Sequence, residues 1–289
     1  MARPRPLVAP VTRATTPVSR AGMGAGPVGS GAGRPRVGWA PARDAAIRPA
    51  YRPVAGGPRR PYTPPVLDPP PPGAPLAVAV ELGARRAFAS ALDWPGWCRS
   101  GRDEAAALEA LAAAAPRYAP VAAAAGLTVP AGAPQRFQVV ERLEGSATTD
   151  FGAPGSPASA EALVLTRDEA ERVAALVAAA WRAFDRVASA APAVLRKGPR
   201  GGGRDRDAIV EHVWGADIVY ARKLGIRWRA SASAAEAAGV RPAVLAAIGG
   251  LSAGAPPVGG GWSPRYAARR IAWHALDHAW EIEDRTQAP

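Results

Sequence analysis

Ser263-Pro-Arg-Tyr-Ala-Ala-Arg-Arg-Ile-Ala-Trp-His-Ala-Leu-Asp-His-Ala-Trp-Glu-Ile-Glu-Asp-Arg285 reads as one long helix near the end of the chain. Ser263 suits the N-cap, where its hydroxyl can accept from a free backbone N–H, and Pro264 suits the first helical position, where no N–H is needed. His274 and His278 lie four residues apart, so a helix sets both imidazoles on one face, one turn apart, within reach of a single ion. That face continues through Ala267 and Ile271 before the pair and Glu281 after it, with Asp277 partly off it. The chain has three histidines, and a pair at this separation arises by chance in about one such chain in fifty.

The third histidine, His212, falls in another predicted helix, from about Asp205 to Leu224, which opens on Asp205 and Asp207 and stops at Gly225. Ile209, His212, Ala216, Val219 and Tyr220 share a stripe there, so His212 is expected to face the core. Upstream, Thr166-Arg-Asp-Glu169 is a capping box, and Val173, Leu176, Val177, Ala180, Phe184 and Val187 recur at helical spacing, predicting a helix to about Leu195. A third helix is predicted from Ser233 to Ile248 with a turn or irregularity at Gly239-Val-Arg-Pro242. Four helices joined by loops of modest length predict a bundle over 161–289, where metal sites are built between facing helices. Six of the nine tryptophans fall here, expected to fill the core and line a pocket mouth; Trp273, Tyr220 and Trp280 are the candidate pocket aromatics.

Three neutral imidazoles suit a divalent metal such as Zn, Ni or Fe and leave a position open for water or substrate. Glu281 is the candidate catalytic carboxylate: it could accept a proton, orient a ligand, or merely pair with Arg285. The competing reading makes His274 and His278 satisfied polar residues and His212 a lone core histidine. A Ser-His-Asp triad is disfavoured, since the Gly-x-Ser-x-Gly of this chain, Gly250-Leu-Ser-Ala-Gly254, falls in the Gly-rich loop 249–261 and follows no predicted strand, as a nucleophile elbow must.

The capped long helix, the second helix with Glu-His-Val-Trp-Gly-Ala-Asp217, and the final helix with Trp-His-Ala-Leu-Asp-His278 together resemble the DinB/YfiT-like superfamily. The resemblance covers roughly residues 160–286. It implies a four-helix bundle whose metal is held by one histidine from the second helix and a His-x-x-x-His pair from the last, here His212, His274 and His278. It also implies chemistry of the kind its thiol-dependent transferases and isomerases perform, some with mycothiol or bacillithiol.

Residues 76–145 have a different texture. Leu76-Ala-Val-Ala-Val-Glu81 and Arg86-Ala-Phe-Ala-Ser-Ala-Leu92 read as strands, Asp103 and Glu104 open an Ala/Leu helix to about Ala115, and Arg136-Phe-Gln-Val-Val-Glu-Arg142 closes the unit as a strand. Phe88 to Leu108, with its Trp94-Pro-Gly-Trp97 turn, resembles HicB-like domains, which implies a small sheet plus helix. Trp94, Trp97 and Cys98 are expected as packing residues. The expected fold class is therefore α+β: a strand-strand-helix-strand unit, a linker over 146–160, and the helical bundle.

Residues 1–60 carry +10 of the net charge of +12, through eleven arginines against Asp44, and residues 1–75 hold 18 of the 32 prolines. This segment is expected to be a disordered tail, and the near-neutral remainder argues against nucleic acid as a partner. One cysteine excludes an internal disulfide, no apolar run approaches the roughly 20 residues that span a bilayer, and no signal-peptide core is evident. A cytoplasmic location is expected. The leading functional expectation is a metal-dependent hydrolase or thiol transferase acting on a small-molecule substrate, with a low-molecular-weight thiol as one candidate partner and a homodimer left open. The alternative is a non-catalytic interaction or scaffold protein, associated with nucleic acid if at all through the basic tail.

Overall fold

The computed structural model describes residues 74–198, 202–228, 234–250 and 261–286; all but the last two residues of the expected disordered tail lie outside the described residues. Four strands, β1 (Leu76–Leu82), β2 (Ala87–Ala91), β3 (Cys98–Gly101) and β4 (Phe137–Glu144), form one sheet in the order β3-β2-β1-β4. β1 pairs antiparallel with β2, and β2 antiparallel with β3, whereas β4 returns parallel to β1 from Leu76↔Phe137 onward. A parallel return needs a crossover, supplied by α1 (Glu104–Ala113) and α2 (Ala115–Ala124). β2 is buried at all five positions because both faces of the sheet are covered. Ala87, Ala89 and Ala91 enter the main core, while Phe88 points the other way, into a cluster with Cys98 and Trp273.

β3 escapes the sequence reading because Cys-Arg-Ser-Gly is too short to show alternation; hydrogen bonding to β2 makes it a strand. α2 also goes beyond the expected single helix. Pro116 cannot extend α1, so Ala114 caps one helix and starts the next. The stretch 146–160, read as a linker, holds the short helix α3 (Ala147–Phe151) and lies against β1. Thr149 Oγ1 and the backbone N–H groups of Gly155 and Ser156 all donate to the buried Glu81 carboxylate.

Four longer helices follow: α4 (Arg167–Ala190), α5 (Arg206–Lys223), α6 (Ala234–Gly250) and α7 (Pro264–Thr286). α7 packs on α4 and α5, and α6 closes the ring by packing on α5 and α4. The capping box of α4 forms as read: Thr166 N donates to Glu169 Oε2 at 2.8 Å and Glu169 N to Thr166 Oγ1 at 3.2 Å. α4 ends at Ala190, five residues before the expected stop, because Ala191 turns extended ahead of Pro192. α6 runs straight through Gly239 and Pro242, where a turn or irregularity was expected; packing against its neighbours outweighs the one hydrogen bond that Pro242 removes.

α7 is buried on nearly every side, from Pro264 to Ile282, because it lies between the other helices and the sheet. Trp273 meets Phe88 of β2 edge-on at 5.9 Å. Gly96, at φ +94°, brings the 94–97 turn so close that an added Cβ would sit 2.7 Å from Leu276 Cδ1. One continuous core runs from Val78, Trp97 and Leu111 of the sheet unit to Phe184, Ile271 and Ile282 of the helices. Among the described residues the architecture is α+β, a four-stranded mixed sheet with seven α-helices. Among the described residues no helix is long and apolar enough to cross a membrane.

Candidate functional site

α5 and α7 pack together, and their contact brings the three histidines to one point. One nitrogen from each of His212, His274 and His278 lies within 4.8 Å of the others. His212 Nε2 and His274 Nε2 are 3.1 Å apart, and the ring centroids are separated by 5.0, 5.0 and 4.7 Å. The spacing on α7 already aligned His274 with His278; the partner from α5, 62 residues earlier, arrives only through packing. His274 is buried, whereas His212 and His278 are half-buried, so the cluster has a floor in the core and a side toward solvent.

His212 does not sit where the sequence stripe placed it. The buried face of α5 is Ile209, Val213, Asp217, Ile218 and Ala221, and Val219, assigned to the stripe, is 49% exposed. His212 borders that face rather than lying within it, which leaves its ring free to meet α7. Asp217, the polar member of the face, is satisfied by Trp181 Nε1 at 3.1 Å and Arg241 Nε at 3.0 Å.

Protonation favours lone pairs at the cluster. Burial pushes His274 well below the ordinary histidine range, and the positive charge that His278, His212 and the arginines Arg270 and Arg204 would present pushes the same way. His212 is lowered too, mainly by burial and then by His278. His278 is oriented from its other side. Its Nδ1 lies 2.8 Å from Glu281 Oε2; an ionised carboxylate can only accept, so Nδ1 donates there and Nε2 is the nitrogen left to face an ion. Glu281 is held ionised: burial alone would raise it, but its bonds from His278 and from Arg285 (Nη1 to Oε1, 2.7 Å) bring it below the usual carboxylate range. Arg285 Nε in turn donates to the Arg196 carbonyl at 2.8 Å. Of the three roles open to Glu281, this geometry is that of an orienting carboxylate, with both oxygens engaged.

Three imidazoles are a donor set that divalent ions take, and one pair of them has the matching spacing. Tetrahedral ligands at 2.0–2.1 Å from zinc lie about 3.3 Å from one another, close to the 3.1 Å between His212 and His274. Two neutral imidazoles can also share a proton at that distance, so the bland reading keeps a physical basis.

The aromatic wall differs from expectation. Tyr220 and Trp273 do flank His274, at 5.6 and 6.1 Å between ring centroids. Trp280 faces away, its ring taking Arg99 and Arg117 at 5.1 Å each. Position 280 is nearly in phase with 273 but two turns further along α7, where the helix meets Arg99 of β3 and Arg117 of α2. Trp262, just before α7, joins the wall instead, 5.1 Å from Tyr220. Asp277, beside the cluster in sequence, turns to Arg99 of β3 at 3.2 Å. Cys98 is buried, and burial pushes its thiol up to about 11.

Sequence reasoning passed over Arg269 and Arg270, which look like the charged side of an amphipathic helix yet are 3% and 7% exposed. The available signal was position: Arg270 stands four residues before His274, on the same face of α7. No family model matches this chain, and neither does any curated protein or solved structure.

Proposed function

We propose that this protein is a divalent-metal-dependent enzyme whose ion is held by His212, His274 and His278. The observation that carries the reading is the convergence of the chain's three histidines from two helices, with His278 fixed by Glu281. A divalent ion held there by three neutral ligands would supply Lewis acidity, bringing the proton of a bound water or low-molecular-weight thiol within reach of neutral pH. The protein's own part is positional. His274 is kept unprotonated by burial, His278 is held by Glu281 in one tautomer, and Glu281 is itself braced by Arg285. Tyr220 and Trp273 wall the cluster against bulk water and offer flat apolar surface to a small electrophilic substrate. The order of the three histidines, one from a middle helix and two from the last, is that of the DinB/YfiT-like superfamily, and the resemblance supports both the metal and the thiol.

The competing reading is a scaffold in which the His212–His274 contact is a hydrogen bond and nothing more. Elemental analysis of protein purified without a histidine tag separates the two, comparing wild type with a His274→Ala/His278→Ala variant. The metalloenzyme reading expects about one equivalent of Zn, Ni or Fe in wild type and none in the variant. Folded wild-type protein that is metal-free and takes up no added metal overturns it.

A further inference from the structure

Arg270 is 7% exposed, and its Nε and Nη1 are buried with no hydrogen-bond partner. Its neighbour on α7 provides the contrast. Arg269 is equally buried but paired with Glu161 at 2.5 and 2.9 Å, and it also donates to the Ser156 carbonyl at 2.9 Å. Among the described residues no carboxylate forms an ion pair with Arg270. Around it stand three rings, Trp273 at 5.0 Å and Tyr220 and Trp262 at 5.9 Å each. Such rings attract a cation through their faces, but a guanidinium also carries N–H groups in its own plane, and those need acceptors that aromatic carbon does not supply. A buried cation with unsatisfied in-plane donors is rare in a native protein, because its desolvation goes uncompensated. A structural arginine would resemble Arg269.

We propose that Arg270 is the anion-recognition residue of this site, and that the substrate it selects carries a carboxylate. The proposal deepens the enzyme reading and rests on it for the word substrate. Arg270 and His274 lie one turn apart on the same helix face and share Tyr220 and Trp273 as neighbours. A small acid can therefore place its carboxylate on the guanidinium while its reacting atom faces the histidines. Four residues of helix advance about 6 Å, which keeps the acid small. Charge favours a carboxylate over a phosphate, since one unpaired guanidinium balances one negative charge and its planar fork matches a planar acceptor. A phosphate dianion would leave charge unbalanced among three rings. Tyr220 and Trp262 are half-buried, whereas Trp273 is 5% exposed, so the first two rings lie on the outer side of the guanidinium's surroundings. The same anion, once bound, satisfies the donors that the fold leaves free.

The test is a titration of the full chain with sodium benzoate and, separately, with sodium phosphate, followed by tryptophan fluorescence, since Trp262 and Trp273 flank the guanidinium. It is run on metal-free protein and repeated with zinc, for wild type, Arg270→Met and Arg270→Lys. The expected result is saturable benzoate binding in metal-free wild type, weakened at least about tenfold in both variants, with phosphate at least about tenfold weaker than benzoate in wild type. Arg270→Lys keeps the cation and loses the fork, so it remains informative if Arg270→Met fails to fold. Equal benzoate affinity in wild type and Arg270→Lys overturns the proposal, as does no saturation in metal-free wild type. A preference for phosphate overturns the carboxylate assignment. Because the decisive arm contains no metal, failure of the three-histidine site and failure of this proposal give different results.

Discussion

Replacing Glu281 by alanine removes the carboxylate that, among the described residues, is bonded to His278, and its effect should separate cleanly into metal affinity and fold. Glu281 Oε2 lies 2.8 Å from His278 Nδ1, and Oε1 accepts from Arg285 at 2.7 Å. Without that acceptor the imidazole is free to rotate and to take the other tautomer, so it must be ordered when an ion binds. Carboxylates that orient metal-binding histidines are worth 10–100-fold in affinity, about 1.4–2.7 kcal/mol. The stability term is smaller. The Glu281 side chain is 33% exposed, and a pair so placed contributes about 1 kcal/mol at most, a shift of about 2–4 °C in melting temperature for a folded region of this size. Competition for zinc against a chromophoric chelator measures the first quantity, and thermal unfolding of metal-free protein the second. Glu281→Gln should fall between, since its amide oxygen can still accept from Nδ1 while its NH2 opposes Arg285. Zinc affinity of Glu281→Ala within about threefold of wild type, with His278 intact, would refute the orienting role.

Two further outcomes test the frame around the site. Glu161→Gln leaves Arg269 buried without its counter-charge and should cost about 3–5 kcal/mol, a fall of roughly 6–20 °C in melting temperature; the Arg269→Met/Glu161→Met double variant should recover most of it, and a melt unchanged by Glu161→Gln contradicts the pairing. Cys98 has a thiol raised to about 11 by burial, so the unfolded chain releases this proton at lower pH than the native one. The linked stability is whole below about pH 8.5 and declines as pH rises toward 11, by about 2–3 kcal/mol. Chemical denaturation at pH 8 and pH 10.5 should show a larger loss in wild type than in Cys98→Ala; equal losses would place the thiol in contact with solvent.

Elements carrying their own local signals were legible in the chain. The Thr166–Glu169 box, the Ser263-Pro264 start and the stop at Gly225 are contacts between residues a few positions apart, so they form wherever the helix forms. The His274–His278 alignment belongs to the same class, since four residues of helix fix it. Cys98–Gly101 carries no such signal and becomes a strand because β2 offers it a hydrogen-bonded edge. Trp280 illustrates the limit of stripe reasoning: α7 is buried on nearly every side, so apolar spacing no longer says which neighbour each residue meets.

By itself the sequence determined the α+β class, the four long helices to within a few residues, and which histidines could share an ion. Tertiary structure alone decided that His212 reaches the pair, that Glu281 turns to His278, and that Trp262 rather than Trp280 walls the site. It also separated two adjacent arginines, giving Arg269 a carboxylate 108 residues away and Arg270, among the described residues, aromatic rings. Local pattern sets the phase of a helix, but the partner of a buried charge comes from whatever distant segment the fold lays against it.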